Sequence, residues 1–368
     1  MTRHRIGLNL LFLDERPLSG PGVYTRELVE NMAAAAAPDL DLIGYIQPCA
    51  VKHFTPRAQA VLRPLADMHG RGRRVLYEQL RLPLLARADR IDLLFSPAFV
   101  SPLWGARRLV ATIHDMYYKV IPTLISKGQR RYWSAMIPAS AYACDALIAV
   151  SGNTGRDVEN LLPGARGKVT VIPLASRFIR ADRVAAPPAG SGPRYIVLVA
   201  NVTANKNPSI VVDALGHVLA SGRELRLVHV GNDEFGYLAA AARDRGVVAN
   251  VEQRGKISDA ALCDLYANAV CTLVVSLYEG FGLPVLEAQA LGSPLICSNR
   301  ASLPEVAGDG AIMVDPTDAV AIGDQIARLL DDPDLGAELR VRGYANLERF
   351  SWERTAAETA ELFRRLLA

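Results

Sequence analysis

Two glutamates around a glycine-rich turn carry the most specific chemistry in this sequence. In SLYEGFGLPVLEAQALG, residues 276–292, Glu279 and Glu287 stand eight positions apart around Gly280, Phe281 and Gly282. A strand should end near Ser276 and a helix begin close to Leu283 and Pro284, because proline is favoured in a first helical turn, where its missing N–H costs nothing. The two glycines let backbone approach a ligand. The amides of Phe281, Gly282 and Leu283 would then point at an anion, helped by the positive helix end. That is the chemistry of a diphosphate site made from backbone. A carboxylate has two acceptor oxygens, which suits a vicinal diol such as ribose. Glu279 at the strand end and Glu287 early in the helix would flank one ligand. The plainer alternatives are a solvated loop charge for Glu279 and a dipole-stabilising residue for Glu287.

Three further stretches place reactive groups at strand ends. ANVTANKNPSI (200–210) leaves a strand and enters a helix, so Lys206 sits where a cation could meet a diphosphate and stabilise a departing nucleotide. A surface lysine is the bland alternative. SGPGVYTREL (19–28) opens a helix with Gly20 and Gly22, but Thr25 stands where a dinucleotide fingerprint wants glycine. Gly22 is the better candidate for close backbone approach, against a plain tight turn. TIHDMYY (112–118) puts His114 and Asp115 directly after a strand. Ser151, in AVSGNTGRDV, reads as the cap of the next helix.

The elements that must position these groups alternate short β-branched runs with longer amphipathic stretches, the pattern of α/β units around parallel sheets. Candidate strands in the first half are 6–12, 40–46, 93–95, 109–113, 146–150 and 169–172, with helices near 24–36, 128–144 and 153–161. Residues 176–194, rich in Pro, Gly and small residues, read as a linker. The pattern then restarts with strands at 195–201, 225–231, 251–254, 271–276, 294–298 and 311–315. A helical tail from about 319 is broken at the DDPD turn, 331–334, by Pro333. The fold class expected is α/β, with two Rossmann-like domains facing a central cleft: 1–180 on the acceptor side and 190–350 on the donor side. A C-terminal helix, 351–368, packs back on the first domain in this reading.

The segment 276–316 resembles the donor site of glycosyltransferase family 4, whose signature is two glutamates with seven residues between them around a Gly-Phe-Gly turn. SLPEVAGDGAIMVDP resembles that family's continuation, and the likeness extends over almost the whole chain. It implies a GT-B fold, retention of anomeric configuration and no metal. By the same resemblance Glu279 would contact sugar hydroxyls, Glu287 the ribose diol, and His114 the donor sugar. RGKISDAAL (254–262) matches the loop whose backbone meets the nucleobase in relatives, so Lys256 and Ile257 become candidates there; an ordinary strand-to-helix loop is the alternative. The family often has an Arg a few residues before the Lys206 position, whereas this chain has Ala200, Asn201 and Thr203 in that stretch.

Composition limits the rest. Five scattered cysteines, never in CxxC spacing, fit reduced thiols better than a disulfide framework or a zinc site. The N-terminal apolar run is short, interrupted by Asn9 and followed by Asp14 and Glu15, which argues against a secretory signal. No run of 18 apolar residues suits a membrane span. Net charge is +3, but residues 1–180 hold 24 Lys+Arg against 14 Asp+Glu and residues 181–368 hold 17 against 24. Much of the excess is Arg63, Arg71, Arg73, Arg74, Arg81, Arg87 and Arg90. Without a nucleic-acid reading motif, that charge points to a membrane surface, a phosphate-bearing acceptor or a plain solvated face.

These features together lead to an expected retaining, metal-independent glycosyltransferase without a cofactor. It would move a sugar, with mannose from GDP-mannose first, to a glycan or lipid-linked glycan in surface polysaccharide synthesis. It would act in the cytoplasm, with peripheral contact at the inner membrane face and no nucleic-acid partner. The competing readings are a sugar-nucleotide epimerase on the same fold and a non-catalytic sugar-nucleotide binder.

Overall fold

The computed structural model describes residues 3–35, 38–68, 70–122, 125–179 and 194–368. It divides into two compact units, Met1–Leu174 with Ser351–Ala368, and Ala175–Phe350. The chain therefore leaves unit 1 at Leu174 and returns to it at Ser351.

Unit 1 is built on seven strands: β1 (His4–Asn9), β2 (Leu40–Ile46), β3 (Leu62–Pro64), β4 (Leu93–Ser96), β5 (Arg108–Ile113), β6 (Ala146–Ala149) and β7 (Val169–Val171). They pair in parallel in the order β3-β2-β1-β4-β5-β6-β7. Every residue of β4 and β6 is buried, as parallel strands covered on both faces require. That is why they read as unbroken apolar runs rather than as alternation. The first strand ends at Asn9, three residues before the expected limit of 12, and β3 was not anticipated.

Unit 2 repeats the plan with β8 (Tyr195–Val199), β9 (Arg226–Val230), β10 (Val251–Gln253), β11 (Cys271–Val274), β12 (Leu295–Ser298) and β13 (Ile312–Val314). Their order is β10-β9-β8-β11-β12-β13, again all parallel. In both sheets the winding reverses once, between β1 and β4 and between β8 and β11. Helices diverge at such a point and leave a crevice beyond the carboxyl ends of the two strands, where ligands of this architecture bind. Both units are thus Rossmann-like, and the fold class is GT-B.

The expected linker, 176–194, is described only at its two ends. Its first residues belong to unit 2, where Phe178 is buried and Arg177 pairs with Asp259 at 2.8 Å; residues 180–193 lie outside the described residues. The helical tail has two breaks. One follows Asp331, where the Asp332 side chain caps the helix beginning at Pro333. The other precedes Trp352, where Ser351 accepts from the Arg354 amide at 3.0 Å.

The last helix, Trp352–Leu367, completes unit 1. Trp352, Leu362 and Phe363 are buried, Phe363 meets Phe95 of β4 at 5.3 Å, and Arg364 pairs with Asp39 at 2.7 Å. Among the described residues no helix is long and apolar enough to cross a membrane.

Candidate active site

The reversal point of unit 2 brings together the groups that the sequence places 73 residues apart. β8 runs into a loop and a single turn, Ala204–Lys206, before the helix Pro208–Ala220. Asn207 stands between them in the left-handed region at φ +59°, which re-aims the chain. β11 runs into the turn before the helix Leu283–Ala290. Two bonds tie these loops to each other: Leu277 N–H donates to Asn205 O at 2.8 Å, and Asn205 Nδ2 donates to Tyr278 O at 3.1 Å. Across that clamp Lys206 Nζ forms an ion pair with Glu279 Oε1, which also accepts from Ser276 Oγ at 2.7 Å. The two side chains retain 23% and 14% exposure. The pair is therefore held in place yet within reach of a ligand.

The turn itself depends on Gly282, at φ +96°. A Cβ there would lie 2.5 Å from Leu303 Cδ2. Phe281 anchors the turn by burying its ring edge-on to Phe350 at 6.0 Å. Ser302 Oγ sits 2.8 Å from Glu279 O and 3.0 Å from Phe281 O, bracing the turn from a later loop. The amides of Phe281, Gly282 and Leu283 donate to no acceptor among the described residues. Unused donors at a helix N-terminus, beside a lysine, form an anion cradle.

Glu287 lies in the second turn of that helix and is half-buried. Tyr266 Oη donates to its Oε2 at 3.3 Å. Burial pushes the Glu287 carboxyl up, against the opposing pull of Arg177 and the Tyr266 bond. Lys256 is exposed and Ile257 half-buried, just beyond β10. Gly255 O in the same loop accepts from Gly231 N–H at 2.8 Å, tying the ends of β9 and β10 together.

Unit 1 has a site at its own reversal point. Asn9, the last residue of β1, donates through Nδ2 to Ser96 Oγ at the end of β4, 3.3 Å away. Both line a cavity of about 280 Å³ with Phe12, Phe99, Trp133, Arg74 and Glu78. Phe99 adopts φ +49°, unusual for an aromatic residue, and stacks on Trp133 at 5.9 Å. The Phe99 amide, donating to Thr112 O at 2.8 Å, helps hold that conformation. Glu78 is buried and its carboxyl is pushed up to about 7 by that burial, with Arg74 opposing. Arg74 Nε lies 3.7 Å from Glu78 Oε1, and that nitrogen is itself buried without a hydrogen-bond partner among the described residues.

His114 follows β5 directly, as its sequence position implies, and is buried. Its Nε2 lies 2.8 Å from Pro97 O, a pairing in which Nε2 donates. The ring meets Tyr24 edge-on at 5.0 Å and Phe99 at 5.3 Å. Burial lowers its pKa to about 4, so the imidazole is neutral at physiological pH and leaves Nδ1 as an acceptor. Gly22 has a packing role of its own: a Cβ there would stand 3.1 Å from Leu18 Cδ2 and 3.5 Å from Leu13 Cδ2. Ser151 caps its helix by accepting from Thr154 N–H at 3.0 Å.

Sequence reasoning missed Ser276, Ser302, Asn205 and Tyr266 around the acidic pair, and Arg74, Glu78 and Trp133 around the cavity. Serines and an asparagine give no signal by type. The arginines of 71–87 read as a solvated or docking face, and only the single acid among them, Glu78, could have marked an inward surface.

Residues 18–175 match the family described as Glycosyltransferase Family 4, and residues 181–346 match Glycosyl transferases group 1. The chain is 27% identical to the O-antigen chain mannosyltransferase B of Escherichia coli, over 95% of this chain and 97% of that protein. Among solved structures, sucrose-phosphate synthase from Thermosynechococcus elongatus superposes with a TM-score of 0.77 at 21% identity, covering 99% of both chains. Anabaena Alr3699/HepE in complex with UDP and glucose superposes with a TM-score of 0.72 at 15% identity, covering 99% of this chain and 100% of that one. With both halves matched and the double sheet in place, the chain belongs to glycosyltransferase family 4 and is a glycosyltransferase.

Proposed function

We propose that this glycosyltransferase moves a hexose, with mannose first, from a nucleoside diphosphate sugar to a glycan or lipid-linked glycan in surface polysaccharide synthesis. The observation that carries the reading is the Lys206–Glu279 pair at the mouth of the Gly280–Leu283 turn. A cation, a carboxylate and unused amides converge there on one point. The diphosphate lies on the amides of Phe281, Gly282 and Leu283 with Lys206 against its oxygens. Glu279 holds sugar hydroxyls and Glu287 the ribose diol, while Lys256 and Ile257 meet the base through their backbone. GDP-mannose leads as donor because the Escherichia coli relative is named a mannosyltransferase.

In unit 1 the neutral ring of His114 offers Nδ1 to a sugar hydroxyl, and Gly22 shapes the first loop. The aromatic and polar walls of the cavity at the β1–β4 reversal suit the acceptor. The acceptor hydroxyl oxygen bonds to the anomeric carbon as the bond from that carbon to the diphosphate oxygen breaks. The departing diphosphate takes the hydroxyl proton on the same face, which retains configuration. Catalysis is then positioning plus stabilisation of growing phosphate charge by Lys206 and the helix end. The reaction needs neither metal nor cofactor in this reading, since among the described residues no Asp-x-Asp follows the carboxyl end of a strand.

A panel of sugar nucleotides, followed by release of nucleoside diphosphate with and without EDTA, tests the proposal. Turnover of GDP-mannose, or another single donor, unchanged by the chelator is the expected result. A requirement for an added divalent ion overturns metal independence. Binding of every donor without any hydrolysis or transfer overturns the catalytic assignment.

A further inference from the structure

The helical segment 71–88 has two faces of opposite character. Inward, Arg74 and Glu78 line the cavity of unit 1. Outward, Leu76, Leu80 and Leu84 are 62%, 56% and 51% exposed, far more than leucines in a covered helix face. They recur every four residues across a wide π turn at Tyr77–Arg81, flanked by α-helix on both sides. An α-helix would rotate such a row steadily around its axis; the wider turn counteracts that drift and keeps the three leucines in one ridge. Leu103, 40% exposed, extends the apolar area from a neighbouring loop, which is packed down where Gly105 meets Pro83. Arg87 lies over the Trp104 ring at 4.8 Å on the same side.

The charge around the ridge has one sign. Residues 71–88 contain five arginines (71, 73, 74, 81 and 87) and a single acid, the buried Glu78. Arg73, Arg81 and Arg87 are exposed among the leucines. Leucines in line with arginines beside them match a bilayer surface, whose acyl boundary takes the apolar side chains and whose anionic headgroups take the guanidiniums. Nucleic acid would leave the leucines in water. A second copy of the chain meeting through the same patch would set arginine against arginine, as a two-fold interface demands.

We propose that the outer face of residues 72–88, centred on Leu76, Leu80 and Leu84, docks on an anionic lipid bilayer. The proposal deepens the reading of a lipid-linked acceptor, because the opposite face of the same segment lines the cavity assigned to that acceptor. It is nevertheless tested without any donor or transfer.

The experiment is co-sedimentation of the full chain with vesicles of phosphatidylcholine containing phosphatidylglycerol, and with vesicles of phosphatidylcholine alone. Binding to the mixed vesicles, weakened by salt and much lower on neutral ones, is expected. The variant Leu76→Ser/Leu80→Ser/Leu84→Ser should lose about tenfold or more of its partitioning. Arg73→Gln/Arg81→Gln/Arg87→Gln should remove most of the salt dependence. Thermal melting serves as the control for folding, since all six side chains are exposed. The proposal is overturned by failure of the wild-type chain to bind anionic vesicles, or by undiminished binding of the leucine variant. It is equally overturned if light scattering shows a dimer that the leucine variant dissolves, because the ridge would then be covered by a second copy. Each of these results leaves donor turnover, and hence the transferase reading, untouched.

Discussion

Removing the Lys206 ammonium separates two roles that the geometry gives it. In the free protein Lys206 neutralises Glu279, whose other recorded partner is the Ser276 hydroxyl. The side chains keep 23% and 14% exposure. The pair thus lies between surface pairs, which contribute about 0.2–1 kcal/mol, and fully buried ones, whose disruption costs about 3–5 kcal/mol. Lys206→Ala should destabilise the chain by roughly 1–3 kcal/mol, and Glu279→Ala by a similar amount. The double variant should cost less than the sum by about 1–2 kcal/mol, because one interaction is removed twice. Turnover should respond more steeply. A preorganised charge facing the leaving diphosphate contributes a factor of about 10²–10³ to kcat, so Lys206→Ala should fall by that factor under saturating donor. Urea denaturation of the four proteins gives the coupling, and release of nucleoside diphosphate gives kcat. Additive stabilities within about 0.5 kcal/mol, or turnover of Lys206→Ala within about threefold of the parent, would refute the reasoning.

Other perturbations follow from the same structure. Gly282→Ala forces a methyl to 2.5 Å from Leu303 and a left-handed φ on a residue with Cβ, which should cost about 1–3 kcal/mol and slow donor turnover; an unchanged urea midpoint counts against the tight turn. His114 and Glu78 should tilt stability in opposite directions with pH. Between about 6.5 and 4 an unfolded chain takes the imidazole proton that the folded one refuses, so His114 makes stability fall as pH is lowered through that window. Between about 4.5 and 7 the folded chain keeps the Glu78 proton that an unfolded one releases, so Glu78 makes stability fall as pH rises. Each amounts to about 3 kcal/mol over its full window. Glu78→Gln should therefore steepen the loss of stability on acidification and His114→Gln should reverse the slope; identical pH profiles for parent and variants would dismiss both. Phe363→Ala, which empties a fully buried site against Phe95, should cost about 3–5 kcal/mol by chemical denaturation.

Much of this architecture was legible in the chain. The buried strands announce themselves as short β-branched runs, and proline marks helix starts at Pro208 and Pro284 because only a first turn tolerates its missing donor. Leu62–Pro64 escaped because three residues ending in proline show no periodicity; β3 exists through its pairing with β2 at the sheet edge. The start of the last helix at 351 could be read although Phe350–Ser351 has no proline or glycine, because Ser351 ahead of Trp352-Glu353-Arg354 is a cap in type. At the site, the glycine turn and both glutamates could be placed from local grammar. The partner of Lys206 could not, since residues 206 and 279 meet only because β8 and β11 are neighbours in the sheet. The inward course of Arg74 and Glu78 was hidden for the converse reason: a run of arginines looks solvated until the π turn shows which side faces the cavity.

The return of the chain to unit 1 at Ser351 orders events during synthesis. Unit 2 is one uninterrupted stretch and has every strand of its sheet once Val314 has emerged. Unit 1 is started before unit 2 and completed after it, because Trp352, Leu362 and Phe363, which fill its interior, follow every strand of the second sheet. Until residues 351–368 have emerged, the older half waits with an open seam along Tyr24 and Phe95.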